Sequence, residues 1–257
     1  MAHIGDREAP RYDRIGRGYA RLRREDPRLA RRIHDALGDA RTVVNVGAGA
    51  GSYEPRDRHV IAIEPSDVMA GQRPPDLAPA LRATAGALPL RDRSVDAAMA
   101  ILSVHHWDDE QEQGVRELRR VARGPVVIVT YDPVVSGQMW LMADYLPEVA
   151  ALDHRILPRV EALATWLGGA TRVETIEIPS DTTDWTIGSF WAHPERVLDA
   201  DARNATSGFA RMPPPVVDRV TDAVRRDLES GEWDRRHGHL RDLTSFDAGF
   251  RLIVNKP

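Results

Sequence analysis

The sequence predicts an α/β fold in which a mostly parallel sheet carries helices on both faces. Three observations predict it. Short apolar, β-branched runs alternate with helical patterns along the chain, as they do where buried parallel strands are joined by crossovers. The run at 43–46 ends in three glycines at alternate positions, Gly47, Gly49 and Gly51. The run at 60–63 ends on a carboxylate, Glu64. Glycines at the carboxyl end of a strand let a ligand approach the backbone, and an acid at the tip of the neighbouring strand accepts hydrogen bonds from the hydroxyls of a ribose. The combination predicts a site for a nucleoside-bearing cofactor.

The elements follow in order. Residues 12–37 are rich in arginine but carry Ile15, Tyr19, Leu22, Leu29, Ile33 and Leu37, broken at Pro27, which predicts two amphipathic helices at the mouth of the sheet. Their arginines suit either RNA or a solvated face balanced by Glu25, Asp26 and Asp35, and the acidic total favours the second. Seven strands are predicted, at 42–46, 60–64, 81–83, 95–102, 125–130, 171–178 and 249–255. Residues 52–59 are too few for a crossover helix and include Pro55. A helix at 109–122 turns Val115, Leu118 and Val121 inward, has acids in its first turn and arginines in its last, and stops at Gly124. Another is predicted at 158–167. Two segments interrupt the alternation: 131–157, with Trp140, Tyr145 and His154, and 179–248, with Trp185, Phe190, Trp191, His193 and a helix near 214–229. The second is too long to be a structureless loop.

Composition bounds the function. The 257 residues suffice for one large α/β domain, and a net charge of -4 gives no general attraction to nucleic acid or an anionic membrane. Cysteine is absent, which excludes disulfides and thiolate metal sites, and histidines and acids do not fall at metal-ligand spacings. Residues 1–8 have no apolar signal core, and no run approaches the roughly 18 apolar residues of a membrane helix, so a cytoplasmic protein is expected.

Two kinds of nucleotide site share a glycine turn. A dinucleotide enzyme has Gly-x-Gly-x-x-Gly opening a long helix, whereas here the third glycine comes one residue early and no diphosphate cradle is evident. Further on stand Leu88-Pro89, a strand through Val95-Asp96-Ala97, and Leu102-Ser103-Val104-His105-His106-Trp107. Over about residues 12–133 these motifs, in this order, resemble the class I S-adenosylmethionine-dependent methyltransferases, in particular their bacterial small-molecule branch. The resemblance implies a Rossmann-like sheet of seven strands with an antiparallel last strand, S-adenosylmethionine as donor and S-adenosylhomocysteine as product. It implies a single domain with an N-terminal cap at 1–40, a cofactor-binding core at 41–133, and covering insertions at 134–157 and 179–248.

Carried over by resemblance, Gly47, Ala48 and Gly49 pass under the methionine portion, Glu64 with Pro65 binds the ribose, and Met69 covers the adenine. Thr84, Ala85 and Gly86 meet the adenine edge, Ile101, Leu102 and Ser103 approach the sulfonium, and Tyr12, Tyr19 and Arg23 take the cofactor carboxylate. Two departures stand out. Thr84 replaces the family's aspartate, leaving the adenine to the backbone at Ala85, and the first crossover helix is missing, with Tyr53 and Pro55 as its substitutes.

His105 and His106 are the candidate catalytic groups, as base, as positioning groups or as packing. Tyr131 and Asp132 end a strand at the ligand-binding edge, where Asp132 either touches substrate or caps a helix. His154 and His193 are bases or surface residues. Trp140, Tyr145, Trp185, Phe190 and Trp191 suggest an acceptor pocket with flat apolar walls. The reading is methyl transfer to a small hydrophobic or aromatic metabolite by direct in-line displacement, with no nucleic acid or membrane partner and with monomer or homodimer left open. An RNA or protein methyltransferase is the alternative, opposed by the lack of an Asn/Asp-Pro-Pro-Tyr motif after the fourth predicted strand. A non-catalytic binding protein on the same fold is another, for which Thr84 speaks.

Overall fold

The computed structural model describes residues 23–257. Six strands form one sheet: β1 (Thr42–Val46), β2 (His59–Ile63), β3 (Ala97–Ile101), β4 (Val126–Tyr131), β5 (Ala170–Pro179) and β6 (Ser245–Lys256). Their order is β2-β1-β3-β4-β6-β5. The first four run parallel, and β6 is antiparallel to both β4 and β5.

The expected seventh strand is the one correction to the architecture. Residues 81–83 supply only a parallel bridge from Leu81 to Ile63, closed by Leu81 N–H to Ala62 O at 2.8 Å and Glu64 N–H to Leu81 O at 3.1 Å. Pro74, Pro75 and Pro79 precede it and have no N–H to donate to a ladder, and Leu81 is 49% exposed, so no layer covers this edge. The predicted strand at 95–102 also shortens, because Val95 forms only an isolated bridge and Leu102 leaves extended geometry at φ 53°.

The helices are α1 (Pro27–Ala36), α2 (Asp67–Ala70), α3 (Gln111–Val121), α4 (Pro133–Ser136), α5 (Pro147–Ile156) and α6 (Val160–Leu167). The long insertion adds α7 (Ala200–Asn204), α8 (Ser207–Ala210), α9 (Pro214–Ser230) and α10 (Glu232–His237). The chain between β1 and β2 makes turns and no helix. α1 begins at Asp26, whose carboxylate accepts the Arg28 N–H at 2.9 Å, with Pro27 at the first helical position. The helix predicted ahead of Pro27 lies almost wholly outside the described residues.

Successive strand residues point to opposite faces, and the two faces bury different partners. On one face Val44, Val46, Ala98, Ala100, Val126 and Ile128 pack on Val115, Leu118 and Val121 of α3 and on Leu163 and Leu167 of α6. On the other, Val43, Ala97, Met99, Val127 and Val129 join Leu29 and Ile33 of α1 and the aromatic residues of the two insertions. The insertion at 180–244 leaves and re-enters at the end of the β5–β6 hairpin, where Pro179 pairs with Ser245. Among the described residues no helix is long and apolar enough to cross a membrane.

Candidate active site

β1 lies between β2 and β3, so the chain leaves it toward one side of the sheet and later returns on the other. Such a switch point opens a crevice at the carboxyl ends of the strands. The glycine turn fills this position. Gly47 has φ +70°, and a Cβ there would lie 2.5 Å from Ser103 Cβ, so only glycine lets the tips of β1 and β3 close together. Ser103 then pins them, its hydroxyl donating to Val46 O at 2.8 Å. Just before it, Leu102 sits in the left-handed region, a conformation costing a non-glycine residue on the order of 1–3 kcal/mol and frequent at binding sites.

Gly49, at φ +52°, has only Met69 Cε near the place of a Cβ, at 3.3 Å, so the two residues lie next to each other. Glu64 stands beside them. Its Oε2 accepts the Gly49 N–H at 2.8 Å and its Oε1 the Ser66 N–H at 2.8 Å, which aims a buried carboxylate at the turn. Glycines without side chains, a thioether facing them and an oriented carboxylate are a set of groups that fits a nucleoside cofactor.

The opposite wall includes residues that sequence reasoning missed. Ala85 is buried, Thr84 half-buried, and Gly86 N–H donates to Glu110 Oε2 at 3.3 Å. Trp107 packs behind them: a Cβ on Gly114 would meet its Cε3 at 2.6 Å and Ala85 Cβ at 2.8 Å. A glycine in the middle of a helix was the signal, because it makes room for a large neighbour. Glu54 and Arg73 stand where a crossover helix would. Their side chains are 0% and 4% exposed and pair at 2.8 Å, while Asn45 Nδ2 donates to Glu54 Oε1 at 2.9 Å and Arg73 reaches Gly49 O at 3.4 Å. Tyr53, buried at φ 65°, donates its hydroxyl to Asp184 at 2.7 Å, and burial together with that carboxylate pushes the phenol well above its ordinary pKa.

A family model described as a methyltransferase domain matches residues 44–129, the stretch that builds this crevice. A protein of Anabaena variabilis described as a methyltransferase from an antibiotic biosynthesis pathway superposes with TM-score 0.83 at 29% identity, covering 91% of this chain and 98% of its own. Residues 44–129 thus match the methyltransferase-domain family, and the fold over nearly the whole chain is that of the Anabaena methyltransferase. More distant structures share this fold. One from Thermotoga maritima, described as a possible histamine N-methyltransferase, gives TM-score 0.53 at 16% identity over 95% of this chain and 97% of its own. Geranyl diphosphate C-methyltransferase of Streptomyces coelicolor, in complex with S-adenosylhomocysteine, gives 0.50 at 16% over 98% and 84%. No protein of curated function matches the chain by sequence.

Beyond the tip of β3, His105 and His106 follow the strand in a single 3-10 turn, Val104–His106, with ring centroids 3.9 Å apart. Arg211, just after α8 in the long insertion, donates from its guanidinium to His106 Nδ1 at 3.0 Å. Asp153 on α5 interacts electrostatically with the same arginine. Burial raises its carboxyl to about 7, although the Arg211 charge works against the shift. Neither residue stood out in the sequence.

Several expected site residues do other work. Arg23 meets Asp184 through two donors, one of them at 2.9 Å, because a planar carboxylate matches the guanidinium fork, so this structure gives it a protein carboxylate in place of the cofactor's. Tyr12 and Tyr19 lie outside the described residues. Trp140, Phe190 and Trp191 are 3%, 0% and 0% exposed and fill the core, with Trp140 Nε1 donating to Trp191 O at 2.9 Å, so they present no face to a pocket. Trp185 is half-buried beneath the Arg196 guanidinium. The Tyr145 hydroxyl donates to Asp227 at 2.6 Å and accepts from Arg236 at 2.6 Å, bridging the two insertions. Asp132 caps α4 through the Val134 N–H, and Tyr131 is buried with its hydroxyl accepting the Gly188 N–H at 3.4 Å. His193 bonds Ser180 O at 2.6 Å, and His154 is exposed.

Proposed function

We propose that the protein moves a methyl group onto a small metabolite of hydrophobic or aromatic character by direct in-line displacement. The observation that carries this reading is the hydrogen bond from Arg211 to His106, because it brings the long insertion onto the tip of β3, beside the crevice. A site roofed by its own chain suits a small acceptor better than a polymer. The antibiotic biosynthesis pathway of the Anabaena relative points the same way.

When bound, S-adenosylmethionine supplies a methyl group already activated by a sulfonium, so the chain's own task is placement. In this proposal Gly47, Ala48 and Gly49 pass under the methionine portion, Glu64 holds the ribose, Met69 lies on the adenine, and the backbone from Thr84 to Gly86 meets its edge. Ile101 and Leu102, both half-buried, supply apolar wall near the reacting centre.

Two measurements test the reading. Calorimetric titration should show S-adenosylmethionine binding that Glu64→Ala weakens by about 1–3 kcal/mol through lost charge-assisted hydrogen bonds. Equal affinity in the variant removes Glu64 from the site. Incubation with a metabolite extract and the donor should yield a small-molecule product heavier by one methylene. Incorporation only into RNA or protein would refute the small-molecule acceptor.

A further inference from the structure

We propose that Arg73 is a positioning residue for the methyl donor: together with Glu54 it holds the glycine turn in its binding shape, the task a crossover helix after β1 would otherwise perform. This deepens the reading above and rests on it.

Turns alone join β1 to β2, so no helix orders the backbone that leaves β1. Gly47, Gly49 and Gly51 all have positive φ, and glycines have many other backbone states open to them. Side chains close that freedom. The Gly49 N–H donates to Glu64 Oε2 at 2.8 Å and the Gly49 carbonyl accepts from Arg73 Nη1 at 3.4 Å, so the residue is held on both sides. Gly51 meets the same segment: a Cβ there would lie 2.2 Å from Leu77 Cδ1 and 3.2 Å from Arg73 Nη1.

Arg73 is fixed in turn. Its Nη1 and Nη2 donate to Glu54 Oε1 and Oε2 at 3.1 and 2.8 Å, a fork that sets the guanidinium plane, and its Nε donates to Ala78 O at 3.0 Å. Asn45 Nδ2 donates to Glu54 Oε1 at 2.9 Å, which anchors the pair in β1. The contacts therefore run from β1, through the loop ahead of β2, to the segment that follows Met69 and α2. Stability alone does not call for charge here. Both side chains are almost fully buried, and apolar groups of similar size often replace a buried ion pair at little or no cost. What apolar groups lack is a donor for the Gly49 carbonyl. With that donor gone, Gly49 turns away from Glu64, and the acid loses an N–H that aims it.

The test sets the double variant Glu54→Leu/Arg73→Met beside wild type. Because it leaves no buried ion unpaired, it should melt close to wild type. In the ligand-free protein its Gly49 amide should exchange with deuterium about tenfold faster by NMR. Its affinity for S-adenosylhomocysteine by calorimetry should be about tenfold weaker, the size of one charge-assisted hydrogen bond. Arg73→Lys, which keeps a donor and the charge, should recover part of both losses. A folded double variant with wild-type exchange and affinity overturns the proposal. If it does not fold, Glu54→Gln/Arg73→Met, which keeps an acceptor for Asn45, is read the same way, and failure of both to fold makes the pair a requirement of the fold and overturns the proposal too. A wild type that binds no S-adenosylhomocysteine would instead overturn the methyl-transfer reading, while exchange at Gly49 would still decide whether Arg73 holds the turn.

Discussion

The two faces of the sheet are covered by different kinds of chain. Under α3 and α6 the buried contacts are aliphatic and come from helices with a regular inward repeat, so each residue's place follows from a local pattern. On the other face, α1 and the two insertions bury Trp140, Phe190, Trp191 and Trp233. They also set charged groups between segments far apart in sequence, Tyr145 with Asp227 and Arg236, and Arg23 with Asp184. Both faces hold the sheet together; the second does so with chain brought in from the two insertions. The insertions are therefore part of the core as well as a cover over it.

The sharpest way to break this comparison is Trp191→Ala. If the insertion is core, the variant should lose about 3–5 kcal/mol and melt in one transition at a lower midpoint. Two transitions, with the main one unmoved, would make the insertion a separate lid. Leu118→Ala on the opposite face should cost about 2–5 kcal/mol, also in one transition, with donor affinity unchanged in the folded fraction. Tyr145→Phe should cost about 1 kcal/mol in denaturant titration, since Asp227 and Arg236 still pair without the hydroxyl. A loss as large as that of Trp191→Ala would show that the network, more than the aromatic packing, joins the insertions.

A further effect should be a pH dependence confined to the insertion face. Asp153 rises from 3.8 to about 7 in the fold, so its protonated form is the one the fold favours. Its contribution is present below about pH 4 and is lost as pH rises toward 7. Asp153→Asn should therefore melt above wild type at pH 8 and level with it at pH 4. Asp26 has the opposite sign: burial opposes its charge, but hydrogen bonds and the charge of Arg28 outweigh this and lower it to about 2, so its stabilisation is lost only as pH falls from 3.8 toward 2. A gap between Asp153→Asn and wild type that persists at pH 4 would assign the effect to packing.

The difference between the faces also decides what the sequence could reveal. The glycine turn, Glu64 and α3 were legible because each rests on a short-range rule: a backbone needing glycine, a strand ending in an acid, a helical repeat with its stop. Arg211 was not, because nothing within a few residues of it marks a contact with a strand tip far away in the chain, and Asp153 was not, because its partner Arg211 is distant in sequence. Trp191 misled for a related reason. An aromatic residue in an insertion looks the same in sequence whether it faces ligand or core, and only burial separates the two. The third predicted strand failed because Leu81-Arg82-Ala83 lies at an exposed edge and makes only a single bridge to Ile63.

The pairing of Pro179 with Ser245 puts both ends of the long insertion side by side on one hairpin. Closing a loop between fixed neighbours grows more expensive only with the logarithm of its length, so this junction tolerates chains of very different size. The donor crevice lies on the other flank of the sheet and shares no strand with the splice. A transplant at this junction would exchange the arginine that reaches His106 while leaving the glycine turn and Glu64 in place.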